Sequence, residues 1–120
     1  LDVYSDEKWL EFILNQVIIN SIKYKKEQNA VITISSIDNK ENVHLKIKDN
    51  GKGIKESEIN RIFDKGFTGT NGRNQKKSTG IGLYLCKRLC EELDMNITAK
   101  SKENEFTEIT IVIPRNKRID

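Results

Sequence analysis

The sequence predicts an α/β protein, an α+β two-layer sandwich in which a mixed sheet of about five strands is covered on one face by about three helices. Two observations carry this. Apolar residues alternate in two pairs of segments, one pair near the middle and one at the end of the chain, each joined by turn residues. Between and before those pairs the apolar residues recur instead at helical spacing. At 120 residues the chain is one domain with one core.

In order, Leu1–Tyr4 reads as a short first strand, with Ser5 or Asp6 as the N-cap of a helix over Glu7–Lys26. On that helix Leu10, Ile13, Leu14, Val17 and Tyr24 share one face, and Gln16, Asn20 and Lys23 fall together beside it. Gln28-Asn29 breaks the helix. Ala30–Ser35 and Val43–Lys48 alternate as strands about the turn residues Asp38–Asn42, an antiparallel hairpin that ends on Asp49. Lys55–Phe63 is expected to form a short helix on Ile59, Ile62 and Phe63. Residues 64–79 have no apolar periodicity, and a loop of that length in a small domain is a functional candidate. Gly80–Asp94 is helical again, with Leu85, Cys86, Leu89, Cys90 and Leu93 on one face. Asn96–Ser101 and Phe106–Ile113 form the second hairpin about 102–105, and Pro114 ends it.

Composition excludes several classes of function. With 21 basic and 18 acidic residues the net charge is only +3, so no nucleic-acid partner is expected. Two cysteines one helical turn apart make no disulfide framework and suit a reducing compartment; without a histidine or third cysteine nearby they read as core, not as metal ligands. His44, the single histidine, falls in a strand with no nucleophile placed around it and reads as structural. No apolar run approaches the roughly 18 residues of a spanning helix, and no signal peptide is visible. The chain opens on Leu1 and is expected to be a fragment of a longer protein.

The chemistry concentrates around Asp49-Asn50-Gly51-Lys52-Gly53-Ile54. Alone, Asp-Asn-Gly is ordinary turn chemistry. Beside a pocket, the Asp49 carboxylate would accept from the exocyclic amino group of adenine, Gly51 and Gly53 would leave the base room, and Ile54 would lie on its face. Asn20 and Lys23, with Gln16, form a polar cluster that is costly to bury unless a polar ligand meets it. The Asn20 carbonyl suits Mg²⁺, Lys23 a phosphate, and Tyr24 the base or ribose. Thr79-Gly80-Ile81-Gly82-Leu83 opens a helix, where free N–H groups and the helix dipole favour phosphates. Arg73, Lys76 and Lys77 precede it and either reach the triphosphate or keep the loop soluble.

These residues, in this order, resemble the motifs of the sensor histidine kinases. Asn20-Ser21-Ile22-Lys23-Tyr24 is similar to the N box, Asp49-Asn50-Gly51-Lys52-Gly53 to the G1 box, Ile62-Phe63-Asp64-Lys65-Gly66-Phe67 to the F box and Gly80-Ile81-Gly82-Leu83 to the G2 box. The resemblance implies the Bergerat fold of the catalytic and ATP-binding domain, shared with gyrase, MutL and the heat-shock ATPase chaperones. It implies ATP and Mg²⁺ as ligands, Asn20 and Lys23 as the catalytic positions, and Phe63 as a further nucleotide-site residue. It also implies a flexible ATP lid over about 64–80. Phe67–Arg73 with Ser78–Leu85 looks like the small intramembrane-sensing kinases that work with peptide-antibiotic transporters.

The implied partners are a histidine-bearing dimerisation domain of the same protein, a response regulator and, through homodimerisation, a second copy. The implied location is the cytoplasmic portion of a cell-membrane protein. The dimerisation and membrane segments are expected outside these residues. Two positions depart from the pattern. Gln16 stands where the hydrolytic relatives carry a glutamate, which disfavours water activation, and the last glycine-threonine motif is reduced to Phe106-Thr107, which leaves a role of that segment in nucleotide contact open. Two alternatives remain: a protein serine kinase of the anti-sigma type, and an ATP-binding interaction module without catalysis.

Overall fold

The computed structural model describes residues 3–69 and 80–115. Helix α1 spans Val3–Lys23, strands β1 and β2 span Ile32–Asp38 and Asn42–Asp49, and a short 3-10 helix covers Ile59–Arg61. Helix α2 spans Gly82–Glu92, followed by β3 at Asn96–Lys102 and β4 at Phe106–Pro114. The strands form one sheet in the order β1-β2-β4-β3, with every neighbouring pair antiparallel.

The two-layer architecture is the expected one, with three differences in detail. Val3 and Tyr4 begin α1 instead of forming a first strand, and Ser5 and Asp6 lie inside the helix, not at its cap. Four alternating residues cannot distinguish the two periods, and no glycine or proline separates Tyr4 from Glu7, so the long helix extends backwards over Val3 and Tyr4, while Leu1 and Asp2 lie outside the described residues. Without that strand the described sheet has four strands and is wholly antiparallel, not mixed, because all four come from two hairpins laid β2 against β4. The expected helix over Lys55–Phe63 is a run of turns. Two of its amides bond three residues back, Glu58 to the Lys55 carbonyl at 2.8 Å and Arg61 to that of Glu58 at 2.9 Å, and one, Ile59, bonds four back to Lys55 at 3.1 Å. Nine residues are too few to sustain an α-helix by themselves. Among the described residues, two α-helices and a 3-10 turn stand where about three helices were expected.

The core lies between the sheet and the two helices. Ile13 and Val17 enter it from α1, Cys86 and Cys90 from α2, Ile47, Ile97, Ile109 and Ile111 from the sheet, and Ile62 from the turn segment. Burial pushes the Cys86 thiol up to about 12, reinforced by Cys90, and the Cys90 thiol up to about 11. Both are neutral packing groups at physiological pH, as their place on the leucine face predicts. His44 faces the opposite side of the sheet from Leu45, Ile47 and Asp49, by strand alternation. Helix α2 ends with Asp94 in the left-handed region (φ 60°), Met95 N–H bonding back to the Cys90 carbonyl at 2.7 Å. This cap turns the chain directly into β3.

Candidate functional site

The C-terminal half of α1, the end of β2, the segment that follows it and the start of α2 enclose a cleft of about 200 Å³. Helical spacing places Gln16, Asn20 and Lys23 on its wall as one stripe, next to the buried stripe of Val17 and Ser21. Tyr24 closes that wall, with Lys23 Nζ 5.9 Å from its ring centre.

Asp49 is the last residue of β2 and only 9% exposed. Its Oδ1 accepts the Gly51 N–H at 2.9 Å, which fixes the carboxylate at the back of the cleft and starts the glycine turn. Asn50 ties the same turn to the chain before β1: its side-chain oxygen accepts the Val31 N–H at 2.9 Å and its amide donates to the Asn29 carbonyl at 2.9 Å. From Gly51 to Ile54 the chain is wedged between the end of α1 and the β3–β4 turn. Lys52 N–H donates to the Tyr24 carbonyl at 3.1 Å, and Asn104 N–H to the Lys52 carbonyl at 2.6 Å. Gly53 has φ 70°, and a Cβ there would stand 2.9 Å from Glu103 Cα. This is a position that only glycine fills without displacing the turn.

Gly80 and Gly82 form the opposite lip. The Gly66 N–H donates to the Gly80 carbonyl at 3.0 Å, and a Cβ on Gly80 would fall 2.5 Å from the Gly66 carbonyl carbon. A Cβ on Gly82 would meet Gln16 Oε1 at 2.9 Å, so the start of α2 is packed directly onto the α1 stripe.

Of the expected site residues, Asn20, Lys23, Tyr24, Asp49, Gly53, Ile54, Gly80, Gly82 and Leu83 line this one cleft. Gly51 stands just behind the wall, holding Asp49. Ile81 precedes α2 off the wall, its carbonyl accepting the Leu85 N–H. Phe63 also stands off the wall, with Lys87 Nζ 5.7 Å from its ring centre, because the turn segment aims Ile62 inward in its place. Arg73, Lys76, Lys77 and Thr79 lie outside the described residues.

Sequence reasoning missed Glu58, Ile62, Phe67, Gly69, Thr107 and Ile109 as lining residues. Thr107 of the reduced last motif lines the cleft, is 8% exposed and lies directly opposite Asp49 in the β2–β4 register. That register was the missing signal, since Asp49 is the end of one strand and Thr107 the second residue of another.

The wall offers carboxylate, amide and hydroxyl oxygens and an ammonium group. Among the described residues no group of three or more His, Cys, Asp or Glu side chains could hold a metal ion. The chemistry fits a hard cation sharing one amide oxygen with a ligand's own oxygens, not a full protein cage. Among the same residues no helix is long and apolar enough to cross a membrane.

Comparison with known proteins agrees with this geometry. The family described as histidine kinase-, DNA gyrase B- and HSP90-like ATPase matches residues 5–117. The chain is similar to the sensor histidine kinase GraS of Staphylococcus haemolyticus, 39% identical over 99% of this chain and 34% of that protein. It is 40% identical to the sensor protein BceS of Bacillus subtilis, over 94% of this chain and 33% of that protein. It thus spans about a third of the length of these curated relatives. Among solved structures, the catalytic domain of histidine kinase ThkA superposes with a TM-score of 0.73 at 27% identity, over 89% of this chain and 67% of that one. The mycobacterial sensor histidine kinase MprB shares the fold, with a TM-score of 0.78 at 21% identity, over 89% of this chain and 72% of that one.

Proposed function

Since the chain belongs to the family of histidine kinase-, DNA gyrase B- and HSP90-like ATPases, we propose that it is the ATP-binding catalytic domain of a two-component sensor histidine kinase. Its substrates would be ATP and a histidine on an adjoining dimerisation domain. The observation that supports this best is the convergence of a buried carboxylate, a helix-borne amide and lysine, and a glycine-rich helix start on one cleft.

In this reading Asp49 accepts from the adenine amino group, Ile54 packs on the ring and Tyr24 borders base or ribose. Lys23 and the N–H groups around Gly80 and Gly82 meet the phosphates, the latter at the positive end of the α2 dipole. Asn20 is the residue that would hold Mg²⁺ through its carbonyl oxygen. Bound there, the ion would neutralise phosphate charge as the transferring group moves. The chain's own part is positioning. A neutral imidazole nitrogen attacks the γ-phosphorus, a P–N bond forms, the bond to the β–γ bridging oxygen breaks and ADP leaves. An imidazole lone pair needs no base from this chain. Gln16 has no proton-accepting group to activate water, which favours transfer over hydrolysis.

The phosphoryl group would pass on to an aspartate of a response regulator. The intact protein would be a membrane-anchored homodimer with this domain on the cytoplasmic side, in association with a transporter of peptide antibiotics.

Calorimetric titration with a non-hydrolysable ATP analogue, with and without Mg²⁺ and against the GTP analogue, tests the reading. Adenine-selective binding is expected, weakened by Asp49→Asn. Asn20→Ala should mainly remove the Mg²⁺-dependent part and the transfer to an added histidine-bearing domain. Unchanged nucleotide binding in both folded variants would refute the assignment.

A further inference from the structure

Asp49, Thr107 and Ser101 form one cross-strand row over β2, β4 and β3, paired directly in register. Ser101 is not on the cleft wall, yet its hydroxyl meets three groups. The Ile54 N–H donates to Ser101 Oγ at 2.8 Å, Ser101 Oγ donates to the Phe106 carbonyl at 2.6 Å, and Oγ lies 3.1 Å from Thr107 Oγ1. A hydroxyl has one proton and two lone pairs. The Phe106 carbonyl can only accept, so the Ser101 proton is committed there, and the Ile54 amide uses one lone pair. Only the other lone pair remains for Thr107, which must therefore donate.

We infer that Ser101 sets the hydrogen-bond polarity of Thr107 and through it the base selectivity of the cleft. With its proton turned to Ser101, Thr107 offers the cleft lone pairs alone. Its row neighbour Asp49 does the same, one carboxylate oxygen already accepting from Gly51. Two adjacent acceptors match a ligand edge that carries N–H donors, such as the amino group of a 6-aminopurine. They oppose a 6-oxopurine, which presents lone pairs at that place. The inference rests on the adenine reading above and deepens it. Ser101 touches no nucleotide in this scheme; it is a positioning residue acting through Thr107. Without its hydroxyl, Thr107 is free to rotate and donate, and one of the two contacts opposing a 6-oxopurine becomes a hydrogen bond.

The test is titration of this chain with non-hydrolysable ATP and ITP analogues, comparing wild type with Ser101→Ala, Ser101→Thr, Thr107→Val and the double variant Ser101→Ala/Thr107→Val. Ser101→Ala is expected to narrow the ATP-to-ITP affinity ratio about tenfold, and Ser101→Thr, which keeps the hydroxyl, to restore it. In the Thr107→Val background the Ser101→Ala step should change the ratio no further, a coupling that general loosening of the sheet would not produce. An unchanged ratio in folded Ser101→Ala overturns the inference, as does an equal narrowing with Thr107 absent. If Ser101→Ala fails to fold, Thr107→Val carries the decision, and wild-type selectivity in it overturns the inference. Wild type that discriminates ATP while Ser101→Ala discriminates equally refutes this inference alone. Wild type that binds neither analogue refutes the proposed function and this inference with it.

Discussion

Gly53 and Gly66 both hold the chain in the left-handed region, at φ 70° and 80°, but in opposite surroundings. A Cβ on Gly66 would meet nothing within 4 Å. On Gly53 it would be driven into the β3–β4 turn, 2.9 Å from Glu103 Cα and from the Lys102 carbonyl carbon, with the Lys102 carbonyl oxygen nearer still. Gly66→Ala therefore reports the backbone term alone, about 1–2 kcal/mol. Gly53→Ala adds a clash with backbone that no rotamer change relieves, and about 3 kcal/mol or more in total is expected, since overpacking costs a further 1–3 kcal/mol. At about 4 °C per kcal/mol for a chain of this size, Tm should fall by about 4–8 °C for Gly66→Ala and by about 12 °C or more for Gly53→Ala. Thermal unfolding followed by circular dichroism reads both. The Asn104–Lys52 and Ile54–Ser101 hydrogen bonds are the contacts such a shift would break, so Gly53→Ala should also weaken ATP-analogue binding more than Gly66→Ala does. Equal Tm losses in the two variants would refute the steric argument and the wedging of the glycine turn with it.

Other expectations follow from particular groups. With thiols pushed up to about 12 and about 11, Cys86 and Cys90 should resist iodoacetamide in the native protein and react readily once it is unfolded; fast native alkylation would contradict their burial. Because folding raises these pKa values from 9.0, both states are protonated below that pH, and above it the unfolded state loses protons first. Stability should then fall by up to about 1.4 kcal/mol per pH unit per thiol between roughly pH 9 and 11, a slope absent from a Cys86→Ala/Cys90→Ala variant in denaturant titrations. Ile111→Ala empties a fully buried position between sheet and helices and should cost about 2–5 kcal/mol in urea unfolding. Arg115→Ala removes an exposed pair with Asp38 and a bond to the Asn39 carbonyl, and less than about 1 kcal/mol is expected in the same assay.

Local periodicity made both hairpins, the two described α-helices and nine of the cleft's lining residues legible, because each is encoded within a few consecutive residues. The stripe of Gln16, Asn20 and Lys23 follows from helical spacing alone, and Asp49 from its place at the end of an alternating run. What was illegible depends on contacts between segments distant in sequence. Thr107 reaches the cleft because β4 pairs with β2 in a register that neither strand specifies by itself. Phe63 was expected at the nucleotide site, but in this run of turns Ile62 lines the cleft while Phe63 packs against the core beside it. The expected strand gave way to helix at Val3 and Tyr4 for the opposite reason: the pattern there was local but too short to carry a period.

The two ends of the cleft are built by different means, and this bears on how a nucleotide would be held. At the Asp49 end the glycine turn is tied to Tyr24, to Val31, to Ser101 and to the β3–β4 turn. Groups fixed in that way lose little freedom when a ligand arrives, so in the proposed reading selectivity there would come from donors and acceptors already in place. At the other end the functional groups are the long side chains of Gln16 and Lys23 on α1, facing the glycine-built start of α2. Lys23 can follow a phosphate through several positions, and glycine lets backbone approach it closely. In the proposed reading, a base gripped rigidly beside phosphates held adjustably would suit transfer to a second domain, because the γ-phosphoryl would have to shift towards an incoming nucleophile while the rest of the nucleotide stayed in place.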